Sequence, residues 1–593
     1  MAQIKEKEYK NNFDLKLWKK YLSFLKPYKK EIFSLIMIMV FVGAIDATFP
    51  YLSKYAIDNF VIKGTYKGFY KFILFYSILI IFQTINVYLL IAIAGKVDMG
   101  LCHDIRKSAF EKLQTLSFSF FDNTQTGYLM SRLTSDVSKL GDTLAWGIVD
   151  MVWGVSIMTF ILIYLLTLNI KLALFIILAI PVLFVISIYF QKRILKQYRI
   201  VRKLNSQITG SFNEAIMGAK TSKILSTENM HISEFKLETS EMKNAAIKAA
   251  ILSSIYMPIV ISLGSISTAI ILVIGGKYAY MNLISFGTLA AFISYSIQFF
   301  EPVRELARVT AELISAQAAA ERVIDLINTE PEIKDEGKLE NFKIQGDIVF
   351  ENVSFKYKEG ERVLENFNLQ VKKGQTIALV GETGSGKTTI VNLICRFYEP
   401  TEGRIFIDGV DYRDIPLKIL HSSLGYVLQT PHLFSGTVAD NIRYGKLDAT
   451  MDEIIEAAKL VNAHDFIMGL EKGYNTEVGE GGSKLSIGQR QLISLARAVI
   501  SNPSIFILDE ATSSVDAHAE HIIQDAIQRV LKGRTSFVIA HRLSTIRNAD
   551  RILVIEGGKI IEDGNHETLL KKKGYYYTLY KNMLTEESQR IEY

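Results

Sequence analysis

The 593-residue sequence is poor in cysteine, with only Cys102 and Cys395. Two cysteines this far apart provide neither the close spacing of a zinc site nor a dense disulfide framework. We therefore expect two unpaired thiols. The sequence excludes a small fold held together by disulfides.

The sequence also lacks a strong charge imbalance, because 67 Lys and Arg against 61 Asp and Glu leave a net charge of +6. Much of the basic excess flanks apolar runs. It does not form a basic stripe interleaved with aromatic residues, and no nucleic-acid-binding motif occurs. We expect no nucleic-acid partner.

Apolar residues make up 49% of the chain, and nearly all the long apolar runs lie in its first 300 residues. A helix of about 20 apolar residues crosses a bilayer. One such run could be a buried helix of a soluble protein, but six in succession predict an all-α, six-helix transmembrane domain. The runs are Ile32–Leu52, Phe72–Ala94, Thr143–Leu168, Leu172–Phe190, Ile251–Ile274 and Phe286–Phe300.

The connections between these runs alternate in length. The gaps 95–142 and 191–250 are long, basic and helical in pattern, whereas the others are short. Because basic residues concentrate in cytoplasmic loops, both gaps and both termini are predicted to be cytoplasmic. Residues 14–25 are predicted to form an amphipathic helix on the membrane surface.

Several polar residues fall within the predicted spans. An ionised side chain at the bilayer centre costs about 2.5–3.5 kcal/mol on insertion scales, so these residues should face the bundle interior or water. Two interpretations remain open: a path for a substrate, or hydrogen bonds between helices. The residues are Asp46, Gln83, Asn86, Asp150 and Gln298.

The second half of the chain contains a phosphate-binding motif. The stretch TIALVGETGSGKTTIVNLI predicts a strand, a glycine loop and a helix, and it fits the P-loop pattern. Glycines let backbone N–H groups converge on phosphate, and the helix N-terminus adds positive potential. Lys387 is predicted to reach the β- and γ-phosphates and Thr388 to bind Mg²⁺. The predicted nucleotide contacts are Gly381, Glu382, Thr383, Gly384, Ser385, Gly386, Lys387, Thr388 and Thr389.

A second apolar stretch, SIFILDEAT, ends in Asp509 and Glu510. Carboxylates at the carboxyl end of a buried strand lie where phosphates and metals bind in such sheets. Asp509 suits Mg²⁺, and Glu510 suits polarising the attacking water. An acidic pair can also cap a helix, but beside a P-loop it predicts an α/β P-loop NTPase cassette.

Together these features resemble the ATP-binding-cassette transporters, specifically exporters with six spans fused ahead of one cassette. The resemblance covers nearly the whole sequence from about residue 15. It implies that Tyr357 stacks on adenine, that Gln429 links Mg²⁺ or the attacking water to the membrane domain, and that His541 senses the γ-phosphate. It also places Asp516 in an inter-cassette loop. The signature LSIGQ would close over ATP on the opposite cassette through Ser486, Ile487, Gly488 and Gln489.

The membrane half resembles the same family. Ser117–Val137 and Phe212–Glu228 are similar to its two intracellular loops, each of which ends in a coupling helix resting on a cassette. The second loop reaches across to the partner in the family. The stretch TEVGEGG, Thr476–Gly482, is similar to the segment that touches these loops.

The resemblance implies a dimer, because one cassette alone cannot complete an ATP site. ATP would close the cassettes and favour an outward-facing cavity, and hydrolysis would reset it. Ile487 replaces the first glycine of the usual Leu-Ser-Gly-Gly-Gln, which matters only if the backbone there needs φ > 0. Some heterodimeric exporters carry an altered signature, so a heterodimer stays open beside the favoured homodimer.

The predicted layout is an N-terminal segment (1–30), a transmembrane domain (31–325), a linker (326–345), a cassette (346–580) and a tail (581–593). The favoured function is ATP-driven export of hydrophobic or amphipathic compounds across a bacterial cytoplasmic membrane. A lipid or lipid-linked glycan flippase is the main alternative. An ATP-gated channel or non-transporting regulator belongs to another class, against which Glu510 and His541 argue.

Overall fold

The computed structural model describes Trp18 and residues 21–358, 360–509, 517–540 and 542–591. The chain divides into two units, one of residues 1–115 and 124–329 and the other of residues 116–123 and 330–593. The first unit is helical, and the second combines sheets with helices.

The helices before residue 330 are mostly very long. Uninterrupted Leu, Ile and Phe favour helix in an apolar setting because a helix satisfies every backbone hydrogen bond internally. In chain order they are α1 (Lys29–Ala56), α2 (Phe69–Gln114), α3 (Phe118–Asp122), α4 (Thr126–Ser131), α5 (Val137–Leu168), α6 (Ile170–Met217), α7 (Ala219–Leu225), α8 (Glu228–Tyr280), α9 (Phe286–Gln298) and α10 (Phe300–Asn328).

Within the described residues, five helical segments are long and apolar enough to cross a membrane. They contain the first five predicted runs. The sixth run, Phe286–Phe300, occupies α9 and the start of α10. The apolar part of this run is short because Glu301 follows it. Phe299, between the two helices, has helical dihedrals (φ −67°, ψ −29°), so the chain continues as a helix into α10. The long polar gaps continue the helices, since α2 extends to Gln114 and α6 to Met217.

The core of the helical unit lies where α1, α5, α6 and α9 meet. Ala47, Ile157, Leu172 and Phe292 are buried together there. Tyr295 on α9 donates a hydrogen bond to the Ala47 carbonyl on α1 at 2.7 Å. This bond fixes the position of α9 against α1.

The second unit contains two sheets. The smaller is antiparallel with the order β2-β1-β4-β5, and the larger has the order β10-β9-β3-β8-β7-β6. In the larger sheet all neighbours are parallel except the edge pair β9 and β10. The strands are β1 (Ile348–Lys356), β2 (Arg362–Val371), β3 (Thr376–Val380), β4 (Glu402–Ile407), β5 (Val410–Asp411), β6 (Leu424–Val427), β7 (Ile505–Asp509), β8 (Thr535–Ile539), β9 (Arg551–Glu556) and β10 (Lys559–Gly564).

The helices of this unit flank the larger sheet. The central strands are apolar on both faces, as parallel strands covered on both sides must be. Along β3, Ile377 and Leu379 enter one apolar cluster, and Ala378 and Val380 enter another. The helices are α11 (Lys387–Ile394), α12 (Leu417–Ser422), α13 (Val438–Arg443), α14 (Met451–Leu460), α15 (His464–Met468), α16 (Ile487–Val499), α17 (Ala517–Leu531), α18 (Leu543–Arg547), α19 (His566–Lys572) and α20 (Tyr575–Ile591).

Candidate functional site

The glycine loop after β3 has the backbone that its sequence predicts. Gly381, Gly384 and Gly386 all have positive φ, at +154°, +86° and +108°. A Cβ on Gly381 would lie 2.2 Å from the Ile555 carbonyl oxygen, so no side chain fits there. The loop leads directly into α11, whose first N–H groups can bind an anion.

Lys387 opens α11 and is only 6% exposed. Its ammonium donates hydrogen bonds to the carbonyls of Gly381 (2.8 Å) and Glu382 (2.7 Å). Burial lowers the pKa of Lys387, and the negative charge of Asp509 opposes this shift. The loop carbonyls therefore hold the ammonium at the opening of the glycine loop, where a bound phosphate would contact it.

The order of the sheet brings the other nucleotide candidates to the same edge. Asp509 ends β7, which pairs with β8, and β8 in turn pairs with β3. Thr388 is exposed in the first turn of α11, and Gln429 is exposed two residues after β6. Parallel strands place their carboxyl ends on one edge, where ligands bind in such folds. Glu510, Asp516 and His541 lie outside the described residues.

Tyr357 follows β1 and lies beside α11. Its hydroxyl is 3.1 Å from the Thr389 hydroxyl. Its ring meets Phe355 and Tyr398 edge-on, with centroids 4.8 and 5.1 Å away. These contacts hold an aromatic ring next to the phosphate loop, in keeping with a role in stacking on a base.

The signature segment forms the N-terminus of α16. The Ser486 hydroxyl accepts from the Gln489 N–H at 3.2 Å, and the Ser486 N–H donates to the Gln489 side-chain oxygen at 3.0 Å. This reciprocal pair is a capping box. Gly488 is buried in the first turn. Ser486 and Gln489 thus have a structural role within their own subunit.

Ile487 is the first residue of α16 and is 40% exposed. Its backbone is helical, a conformation that every L-residue adopts. The left-handed conformations belong instead to Gly479, Gly481 and Gly482, with φ of 77°, 61° and 78°. The backbone therefore does not require glycine at position 487.

A polar cluster that the sequence analysis missed ties α16 to the segment after Gln429. Arg497 donates to the Asn441 carbonyl (2.8 Å), the Asn441 side chain (2.7 Å) and the His432 carbonyl (2.8 Å). Asn441 is 2% exposed and donates to the Phe434 carbonyl. An arginine within the apolar stretch LISLARAV was the signal for this cluster.

The short helix α3 belongs to the second unit. Phe118 stacks on Phe397 with ring centroids 4.0 Å apart, and Tyr398 donates to the Asp122 carboxylate at 2.5 Å. Tyr398 is also the ring that meets Tyr357. One side chain therefore touches both α3 and the aromatic candidate for adenine stacking.

Two protein-family models match the chain: the ABC transporter transmembrane region over residues 32–303 and the ABC transporter domain over residues 364–513. An uncharacterized ABC transporter ATP-binding protein of Bacillus subtilis, YfiC, is 38% identical across 93% of this chain and 92% of its own length. The "Putative multidrug export ATP-binding/permease protein YgaD" of the same organism is 36% identical, covering 96% and 98%. An ATP-dependent lipid A-core flippase of Syntrophus aciditrophicus is 35% identical, covering 98% and 97%.

The chain belongs to the ATP-binding-cassette exporter family. This exporter is a multi-pass membrane protein whose second unit binds and hydrolyses ATP. Half-transporters of this family generally work as dimers. The predicted fold class, a helical membrane domain followed by an α/β P-loop cassette, is confirmed.

In the helical unit of the exporter, three of the five predicted polar residues meet around Asp46. The Asp46 carboxylate accepts from the Gln83 amide at 2.9 Å and from the indole N–H of Trp153 at 3.2 Å. The Gln298 amide nitrogen lies 3.5 Å from the Asp46 main-chain oxygen. Trp153 was not a predicted member, because an apolar run gives no signal for a single indole donor.

Asn86 and Asp150 lie apart from this group. Asn86 is buried on α2, one turn from Gln83. Asp150 on α5 pairs with Arg308 at 2.7 Å, and Arg308 also binds the carboxylates of Glu305 and Glu312. The five residues therefore form one cluster around Asp46, one buried neighbour and one separate ion-pair network.

Proposed function

We propose that this chain forms a homodimer that exports hydrophobic or amphipathic compounds from a bacterial cytoplasm at the expense of Mg²⁺-ATP. The observation that carries the proposal is the single sheet edge bearing the glycine loop, Lys387, Thr388 and Asp509, on the same chain as apolar helices of membrane-spanning length. Membership of the exporter family supports export over import. Both termini and the long polar loops face the cytoplasm in this proposal.

In the nucleotide site, the loop N–H groups and Lys387 bind the phosphates and Tyr357 stacks on the base. Thr388, Asp509 and Gln429 offer hydroxyl, carboxylate and amide oxygens, the hard donors that Mg²⁺ prefers. When bound, Mg²⁺ neutralises charge on the β- and γ-phosphates. Glu510 orients and deprotonates the attacking water, and His541 contacts the γ-phosphate.

The partner subunit completes each site in this proposal. Ser486 and Gly488 of one subunit reach the γ-phosphate held by the other, with the N-terminus of α16 behind them. Asp516 lies between the cassettes. Ile487 is compatible with this role because its backbone is helical. The structure therefore gives no reason to require a second, different subunit.

The second candidate is a lipid flippase, favoured by the 35% identity to a lipid A-core flippase over nearly the whole chain. Both functions use the same ATP cycle, in which ATP binding and hydrolysis bias two conformations of the dimer. The two functions differ only in the compound that the membrane unit transports.

The test is ATPase activity of the purified protein in proteoliposomes, measured with a panel of lipophilic drugs and bacterial lipids. We expect drugs to stimulate turnover and the Glu510→Gln variant to bind ATP without hydrolysing it. Stimulation by lipids alone would favour the flippase. Ionic current without matching ATP consumption would instead indicate a channel.

A further inference from the structure

Asp46 is a carboxylate surrounded by apolar helices. Its neighbours come from α2, α5 and α9, and both of its hydrogen-bond donors, Gln83 and Trp153, are neutral. In the part of the chain that the structure describes, no Lys or Arg pairs with it. A charge away from water is costly unless a cation compensates it.

Polar side chains of the Asp46 group, and Asn86 one turn from Gln83, also have unused hydrogen-bonding capacity. Asn86 is 6% exposed, and its amide nitrogen has no partner among the described residues. The side-chain oxygens of Gln83 and Gln298 likewise lack one. Asn86 follows Gln83 by three residues, so both lie on the same face of α2. Each of these groups can therefore form a further hydrogen bond.

Aromatic rings lie immediately beyond Asp46 along α1. Tyr295 donates to the carbonyl of Ala47, and the Tyr164 hydroxyl is 3.0 Å from that of Thr48. The Tyr164 ring stacks on Tyr295, with centroids 6.0 Å apart. Tyr295 is fully buried and Tyr164 is partly exposed, so Tyr164 offers apolar ring surface beside the Asp46 group.

A second charged group lies near the Asp46 group, on α5 and α10, and it contains more carboxylates than basic side chains. Asp150 lies one helical turn before Trp153, and Glu305 lies seven residues after Gln298, so each shares a helix face with a member of the Asp46 group. Asp150, Glu305 and Glu312 surround a single arginine, Arg308. Three carboxylates around one arginine leave an excess of negative charge, which attracts cations.

We propose that Asp46, with Gln83, Trp153 and Gln298 in contact with it and Asn86 one turn from Gln83, binds the cationic head of an amphipathic substrate. The partly exposed Tyr164 beyond it and the surrounding apolar helices accept the hydrophobic body. This inference rests on the proposed export function and narrows it to lipophilic cations. It disfavours an anionic lipid as the principal substrate.

The experiment compares two stimulators of ATPase activity in proteoliposomes: tetraphenylphosphonium, a permanent cation, and triphenylphosphine oxide, which is uncharged and similar in size. In Asp46→Asn we expect the half-maximal concentration of the cation to rise about ten-fold or more, because a buried charge partner is lost. The response to the uncharged compound should stay within about two-fold. Glu111→Gln, at an α2 carboxylate that is 65% exposed and outside the Asp46 group, is the control and should shift neither.

Equal shifts for both compounds in Asp46→Asn would overturn the proposal, as would a parent protein that responds to the uncharged compound alone. If neither compound stimulates the parent, the export function itself fails and this inference with it. Should Asp46→Asn not assemble, Asp46→Glu moves the charge by one methylene group. It should change the response to the cation more than the response to the uncharged compound, and equal changes would again refute the site.

Discussion

The phosphate edge of the cassette and the Asp46 group of the membrane unit are both polar sites, but they are built differently. The phosphate edge uses backbone: glycines at positive φ, loop carbonyls that hold Lys387, and the N-terminus of α11. The Asp46 group uses side chains from four helices. The first is encoded in one contiguous stretch, whereas the second exists only once the helices pack. A site built on one contiguous stretch can thus be specified locally, whereas a group that depends on the packing of four helices cannot.

Among substitutions that test the phosphate edge, the largest loss of ATP hydrolysis is expected at Lys387. Lys387→Ala should reduce ATP hydrolysis by about 100-fold or more, because a charge aimed at the reacting phosphate is removed. Steady-state ATPase assays measure this. Lys372→Ala, at an exposed lysine ahead of β3, is the control and should keep the parent rate.

The next effect concerns the glycine backbone. Gly381→Ala places a Cβ against the Ile555 carbonyl and should weaken ATP binding and lower stability by about 1–3 kcal/mol. Gly384→Ala meets no atom within 4 Å, so it should cost only the strain of a positive φ, about 1 kcal/mol. Nucleotide binding and thermal unfolding measure both. Equal effects would show that the fit against Ile555 does not matter.

A smaller effect is expected at the link between α16 and the segment after Gln429. Asn441→Leu removes one of the three acceptors of Arg497 and the side-chain donor to the Phe434 carbonyl, which should destabilise the protein by about 1–3 kcal/mol. ATPase activity should fall because the signature helix is less firmly held. If the variant kept the parent's melting temperature and ATPase rate, the Asn441–Arg497 cluster would contribute to neither stability nor turnover.

The smallest effect is expected at Ile487. Ile487→Gly should change the ATPase rate by less than about three-fold, because the helical backbone there accepts either residue. Paired rate and melting measurements on parent and variant test this. A large gain in rate would mean that isoleucine impairs the signature, and it would favour a heterodimer over a homodimer.

Much of this protein could be predicted from its sequence, because the informative features are contiguous. The apolar runs, the P-loop and the strand ending at Asp509 each predict their own local structure. Other features depend on packing between distant segments. The Asn441–Arg497 link, the contact of α3 with Tyr398 and the part played by Trp153 join residues far apart in the chain.

Two sequence expectations depended on backbone detail. Whether the backbone at position 487 requires glycine was decided by the helical conformation at the start of α16, which the residue type alone does not reveal. The sixth apolar run is short as a separate segment because Glu301 follows it, and the helical dihedrals at Phe299 carry the chain on into α10. The roles of Glu510, Asp516 and His541 remain predictions from the sequence.

The most direct test of ATP-driven export is transport into inside-out membrane vesicles, whose cassettes would face the assay medium. We predict that vesicles with the parent protein accumulate a fluorescent lipophilic compound only when Mg²⁺-ATP is supplied. Vesicles with Lys387→Ala should not accumulate it. Equal accumulation by both, or accumulation without ATP, would contradict the account.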